Sequence, residues 1–372
     1  MFFSVRHSNG SFFCFDRPVS ERKGIDRGPV DFVSTIRKVI TLLIYLACAP
    51  SAMAAWTQQQ SGTLAWLRSI YFIDQNNGWT VGSKGTFLST TDGGRHWEKA
   101  RKFTEDNIRD VYFSDARNGW LLCESDIYDT SRTRHSYLLR TSDGGDTWGR
   151  VDFLGDPERV VRFFFSQEGK GTAVGEGGSI FQMQNESRSW KKTALPVRFL
   201  ILDGVHIDNL RTVLVGGGGT VLFSDDAGNE WSRAVTPATA RTKLNSVFFA
   251  DDRNGWAVGT EGKIYATKNG GKLWREQVTG TNDEICDVIF LDPNEGYAVG
   301  SGGGILHTVN GGEAWNITRT KTKNRLERVF FVGKKGYIVG FGGLILTSDD
   351  SDRAEKSGTR ASKDTLSPLS GD

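Results

Sequence analysis

Proline is scarce in this chain, 8 residues in 372, and methionine scarcer still at 3. Glycine is abundant, 45 residues or about 12 %, against a usual ~7 %. With 11 tryptophans as well, the composition is not that of a disordered chain; it fits many tight turns between short strands. No 3.6-residue apolar period runs through it, which excludes a helical solenoid. Cysteine is sparse, four in all, and no pair has metal-ligand spacing. Excess charge of one sign is missing too. Residues 1–54 hold seven of the 46 bases and four of the 44 acids, leaving 39 bases and 40 acids. A near-neutral remainder argues against a general polyanion binder, so nucleic acid is not an expected partner.

The N-terminal region carries a basic pair, Arg37-Lys38, an eleven-residue apolar run "VITLLIYLACA" (39–49) and an A-x-A site at Ala52-Met53-Ala54. This is the order of a cleavable secretory signal. The run falls short of the ~20 apolar residues of a spanning helix. A retained anchor is the alternative, and a lipoprotein reading through Cys48 is disfavoured by Tyr45. Residues 1–54 are therefore expected to be a leader and the mature protein to be exported, starting near Ala55. Cleavage would remove Cys14 and Cys48, leaving Cys123 and Cys286, which sit in distant repeats and are expected as buried free thiols.

Six tryptophans, Trp97, Trp148, Trp190, Trp231, Trp274 and Trp315, are spaced by 51, 42, 41, 43 and 41 residues. A period of this length marks a solenoid or a propeller. Each unit repeats an apolar strand such as "LNSVFF" (244–249), a second strand such as "NGWAVG" (254–259), a glycine-bounded turn, a third strand and a box such as "YATKNGGKLW" (265–274). Four antiparallel strands per unit make a propeller blade. First strands start at Leu67, Ile108, Val160, Ile201, Leu244, Ile285 and Leu326, which is seven. The last unit lacks its Trp, with Ala354 in that place, while Trp56 stands 41 residues before Trp97. The expected fold is all-β, a seven-bladed propeller over 55–350 whose N-terminal strand completes the last blade and so hides two sheet edges. The polar stretch 351–372 is expected to be a disordered tail.

The box acids Asp92, Asp143, Asp226 and Asp349 alternate with Asn269 and Asn310. Asp and Asn both accept backbone N–H bonds in tight turns, whereas a catalytic carboxylate or a metal ligand would not tolerate the exchange. A structural role is expected, with no metal, no cofactor and no catalytic residue.

These boxes resemble the Asp-box, or BNR, repeats of sialidases and related propellers. The whole unit, with "F-x-D-x-x-N-G-W-x-V-G" ahead of the box and best seen in "FADDRNGWAVGTEGKIYATKNGGKLW" (249–274), more specifically resembles the photosystem II stability and assembly factor family of plants and cyanobacteria. The resemblance covers about 56–350. It implies an exported, non-enzymatic propeller, in the periplasm or the thylakoid lumen, that holds a membrane-protein subunit during assembly; in photosynthetic members that subunit is the D1 precursor. The rival class is a glycosidase of the sialidase type, which would need an arginine cluster, a Tyr nucleophile and an acid. The usual "F-R-I-P" stretch of that class is absent.

Linkers between blades share one face of a propeller with the loops joining strands two and three. Three linkers concentrate bases: Lys191, Lys192 and Arg198 in 191–200; Arg233, Arg241 and Lys243 in 232–243; Arg319, Lys321, Lys323 and Arg325 in 316–325, with no acid in any of them. Linkers 98–107, 149–159 and 275–284 hold six bases and nine acids. The basic set, with Arg132 and Arg134 in the blade-two insertion 123–140, is the expected binding surface. Its expected partner is an acidic protein segment or membrane-protein subunit, with anionic lipid or peripheral membrane contact as the alternative and a monomer as the functional unit. The family is known for an arginine-rich patch, which agrees. One polar residue per first strand, Ser69, Asp110, Arg162, Asp203, Ser246, Asp287 and Arg328, is expected to line the axis, more as inter-blade ion pairs around a wet channel than as a ligand site.

Overall fold

A computed structural model describes residues 56–125, 136–154, 159–184, 189–237 and 240–348. The leader, the tail, Asp349, Arg132 and Arg134 lie outside the described residues. Seven sheets follow one another along the chain, each with its innermost strand first. The inner strands run Leu67–Phe72, Asn107–Phe113, Val160–Phe165, Ile201–His206, Leu244–Phe249, Ile285–Phe290 and Leu326–Val332. The ring closes by antiparallel pairing of Trp56–Gln59 with Ile345–Ser348, Trp56 opposite Ser348.

The second strands, Gly255–Gly259 for example, are buried at every position except Lys335 at the start of the last one. Their apolar, unalternating sequence has this cause: each blade is covered on both sides. The hydrophobic core of the described residues is accordingly divided into seven clusters, each at the interface of two successive blades. Leu67, Ile70, Phe72 and Leu88 of blade one, for instance, pack on Tyr337, Val339 and Ile345 of blade seven. The box tryptophans belong to this core as much as to their own turns. Trp274 donates its indole N–H to Gly271 O at 2.7 Å, as expected of a residue capping its own turn. Trp148, by contrast, packs on Phe87 and Phe103 of the preceding blade.

The glycine-bounded turns owe their composition to crowding. A Cβ on Gly259 would lie 1.9 Å from Lys243 O, and one on Gly262 1.9 Å from Thr281 O, so the incoming and outgoing linkers both press on the turn. Gly262 also has a positive φ of 65°, which glycine adopts without a Cβ penalty.

One blade departs from the expected four strands. Phe153–Leu154, from the long linker after blade two, pairs in parallel with Ser189–Ala194 as a fifth strand of blade three. Phe153 is buried between Phe181 and Trp190, and this burial holds the extra strand.

Candidate partner-binding face and axial channel

The box turns show what their acids do. Asp92 Oδ1 accepts the His96 N–H at 3.0 Å, Asp143 Oδ1 that of Thr147 at 3.0 Å, and Asp226 Oδ1 that of Glu230 at 2.9 Å. Asn269 and Asn310 accept the equivalent N–H of Leu273 and Ala314, both at 2.9 Å, through the same oxygen position. A second recurring acid does similar work unannounced by the sequence reading. Asp74, Asp115, Asp208, Asp251 and Asp292 each accept the N–H groups two and three residues on, as Asp251 does from Arg253 at 2.8 Å and Asn254 at 2.7 Å. These are Asx turns between the first and second strands.

Every inner strand carries a bulge near its start, between Ile285 and Asp287 for example. The bulge turns the following residue to the axis. There the seven polar residues form one network at the wall of a cavity of about 320 Å³. Ser69 donates to Asp110 at 2.6 Å and Ser246 to Asp287 at 2.7 Å. Arg162 donates from Nε to Asp203 at 2.8 Å and lies 3.6 Å from Asp110. Arg328 reaches Asp110 at 3.4 Å and Asp287 at 3.6 Å. Asp203 and Asp287 also accept the Val247 and Val329 N–H groups of the next blades, each at 3.0 Å. The axial residues thus stitch blades together. Beyond them, toward the loops between strands one and two, the cavity is walled by Tyr71, Tyr112, Phe164, Phe248 and Phe330.

Three carboxyls face two guanidiniums in this ring, so full ionisation leaves one negative charge without a counter-charge. Burial pushes the Asp287 carboxyl up to about 7, against the opposing pull of Arg162. Its folded pKa therefore lies above its unfolded value, and the folded state binds the proton more tightly. This contribution to stability is complete below the unfolded pKa near 4 and is lost as pH rises through about 7. His206 works against it lower down, because burial depresses its imidazole to about 4, which removes stability as pH falls below about 6.5. We expect the stability of the domain to rise as pH falls from 8 to 6.5, and Asp287→Asn to flatten that slope. Chemical denaturation at several pH values checks this; an unchanged slope in the variant would exclude Asp287 as the titrating group.

On the linker face the basic residues divide into three groups. Lys191, Arg198, Arg233, Arg241, Lys321 and Lys323 are exposed, and none forms an ion pair with another described residue. Lys192 is half-buried, with its ammonium 6.0 Å from the Phe181 ring centre. The other three are held by acids of neighbouring elements: Arg319 by Asp283 at 2.8 Å, Lys243 by Glu284 at 2.8 Å, and Arg325 by Glu284 at 2.6 Å and Glu327 at 2.8 Å. The acids Asp283 and Glu284 come from the intervening linker, so counting charge linker by linker overstates what is free. Burial raises the Glu284 carboxyl, but Arg325, Lys243 and Asn245 together outweigh it and hold the group at about 2. The bases that stay unpaired on successive linkers are Lys191, Arg198, Arg233 and Arg241.

The sequence reading missed the mouth of the channel on this face. One step outward from the axial ring stand Arg68, Arg109, Val161, Leu202, Asn245, Cys286 and Glu327, around a second cavity of about 190 Å³ that Lys243 and Arg325 also line. Aligning the second residue of every inner strand would have found the arginines. Cys123 and Cys286 are buried free thiols, and burial pushes both well above the ordinary thiol range. Among the described residues no cluster of three or more His, Cys, Asp or Glu side chains is placed to hold a metal ion.

A closed ring of seven blades, box turns built on backbone hydrogen bonds and an ion-paired axis define an Asp-box propeller. A family model described as photosynthesis system II assembly factor YCF48 matches residues 49–194, 155–268 and 266–360. The chain belongs to that family. The photosystem II assembly protein Ycf48 of Synechococcus sp. (strain JA-3-3Ab) is 27 % identical over 281 residues, covering 63 % of this chain and 83 % of the relative. The photosystem II assembly lipoprotein Ycf48 of Synechococcus sp. (strain CC9902) is 24 % identical over 219 residues, covering 58 % and 62 %. A solved structure of YCF48 bound to D1 peptide superposes with a TM-score of 0.65 at 21 % identity, over 81 % of this chain and 99 % of that one. A virginiamycin B lyase from Staphylococcus aureus shares the fold equally well, TM-score 0.65 at 10 % identity, so the fold by itself does not decide between binding and catalysis.

Proposed function

We propose that this chain is an exported, non-enzymatic propeller that captures an acidic segment of a membrane-protein subunit during assembly, using the linker face between blades three and five. The observation that carries the reading is the run of exposed, unpaired Lys191, Arg198, Arg233 and Arg241 on two successive linkers of a near-neutral domain. Opposite charge on a client speeds encounter and makes binding fall with salt. Membership of an assembly-factor family supports the client class, and the solved relative bound to D1 peptide shows that a propeller of this kind can hold a peptide. Export is supported by the signal-like order of basic pair, apolar run and A-x-A site within residues 1–54 and by relatives named as lipoproteins. The protein acts as a monomer without a cofactor, a reading supported by ring closure, which leaves only short outer edges for pairing with another copy.

Replacing Lys191, Arg198, Arg233 and Arg241 with Gln should weaken capture of the client from the host membrane fraction several-fold, more at low than at moderate salt. The fold should be unaffected, since exposed charges contribute little to stability. Replacing Lys99 and Lys102 in the mixed-charge linker should do less. Lys243, Arg319 and Arg325 are poor targets, because losing them would remove the cationic partners of Asp283 and Glu284. Affinity capture with mass spectrometry reads the result, and undiminished capture by the four-residue variant would sink the proposal.

A further inference from the structure

Among the described residues, the bases at the channel mouth outnumber the carboxylates that meet them. Five bases meet four carboxylates there, Glu176 lying 3.5 Å from Arg159. Arg109 Nη1 donates to Glu124 at 2.6 Å, Arg159 also pairs with Glu124, and Lys243 and Arg325 hold Glu284, with Glu327 on Arg325. Arg68 forms no ion pair with a described residue, and Glu327 and Glu124 attract it only from a distance. Its guanidinium lies over the Trp66 ring at 4.0 Å, and its Nε is buried with no hydrogen-bond partner. The Nε of Arg109 is likewise buried and without a partner. Both side chains line the same 190 Å³ cavity. Burial and the neighbouring Arg109 together push the Arg68 guanidinium below its usual range, the sign of a cation placed where its charge is unwelcome.

We propose that the mouth of the axial channel is a carboxylate-binding site, in which one carboxylate accepts hydrogen bonds from the free guanidinium edge of Arg68 and from Arg109 Nε. Donors left unmade in a buried place are costly, and guanidinium matches the planar, two-oxygen geometry of a carboxylate. A dianion fits less well, because Glu327 lines the same cavity, Glu124 and Glu284 pair with bases that line it, and the axial Asp110, Asp203 and Asp287 pair with Arg162 and Arg328 of its lining. The Trp66 ring, packed edge-on against Phe341 at 5.7 Å, carries the Arg68 guanidinium 4.0 Å from its centre. The carboxylate arrives either on a small organic acid or on an Asp or Glu side chain of a bound protein segment. This site is distinct from the basic linker sector and does not depend on it.

Thermal unfolding of the purified mature domain tests the proposal, with sodium acetate, sodium chloride at matched ionic strength and hexaglutamate as the three titrants. Acetate should raise Tm in a saturable way that chloride does not reproduce. A shift by hexaglutamate at far lower concentration than acetate assigns the carboxylate to a protein side chain; a shift by acetate alone assigns it to a small acid. Arg68→Met should raise Tm in the absence of titrant, since it removes an unpaired buried charge, and should abolish the acetate shift. An arginine with a purely structural role would give the opposite first result. Should the variant fail to fold, the Hε resonances of Arg68 and Arg109 in the wild-type protein report directly and should move together on adding acetate. Equal shifts with acetate and chloride, an acetate shift that survives Arg68→Met, or Hε resonances that stay still would overturn the proposal.

Discussion

Trp56→Ala is expected to destabilise the propeller by about 3 kcal/mol, the lower end of the range for truncating a large aromatic in a packed site. Trp56 is half-buried, yet its indole lies edge-on to Tyr297 and Phe331, both with centroids at 6.2 Å, and stands over Gly336, where a Cβ would meet it at 2.7 Å. It therefore joins the strand that closes the ring to the core between blades six and seven. Deleting residues 56–62 should do more, because it also unpairs the Ile345–Ser348 strand and opens an edge to other chains. Gln59 and Thr57, which bond to Thr347 across the closure, would be lost with it. Equilibrium unfolding with light scattering measures both effects. Wild-type stability in the two variants would mean that the ring holds without its N-terminal strand.

Arg162→Met should cost about as much or more, on the order of 3–5 kcal/mol, the usual result of removing one partner from a buried ion pair. Arg162 is the axial cation that bridges two blades to its own. Without it Asp203 loses its 2.8 Å bond and Asp110 keeps only Ser69 and Arg328 as side-chain partners. The deficit of positive charge in the ring then grows from one to two, so the penalty should shrink at low pH, where the carboxyls take up protons. A double variant, Arg162→Met with Asp203→Leu, should recover part of the loss, since an apolar replacement leaves no charge stranded. Urea denaturation of the single and double variants would decide it; a single variant within about 0.5 kcal/mol of wild type would remove the ion-paired ring from the account of stability. The opposite sign expected for Arg68→Met marks the difference between an arginine that holds the blades and one that awaits a partner.

Most of the architecture was legible before any coordinates. The 41-residue spacing of Trp56 and Trp97, with Ala354 in the place of a seventh Trp, located both halves of the closing blade, because antiparallel neighbours in a repeat must be in register for the ring to close. The exchange of Asp226 for Asn269 pointed to turn chemistry, since only the shared side-chain oxygen is needed by the Glu230 or Leu273 N–H. The axial residues were also in view, because a bulge at the same position of every inner strand keeps them in phase.

What the sequence could not show was which charges meet. Arg325 and Glu284 are 41 residues apart, and Arg319 and Asp283 are 36 apart. Their pairing depends on where two linkers pass each other over the face of the ring. Counted along the chain, the ten linker bases looked alike; in space three are neutralised and Lys191, Arg198, Arg233 and Arg241 are left exposed on neighbouring linkers. The parallel strand Phe153–Leu154 was hidden for a similar reason, as its partner lies in the next blade and only the burial of Phe153 fixes it there. The sequence by itself determined the repeat, its number and its closure, because these follow from local hydrogen bonding and apolar patterning that recur every blade. Tertiary structure alone decided the electrostatics of the face and of the channel mouth, because the energy of a charge depends on its distance to other charges and to water, and no repeat period encodes those distances.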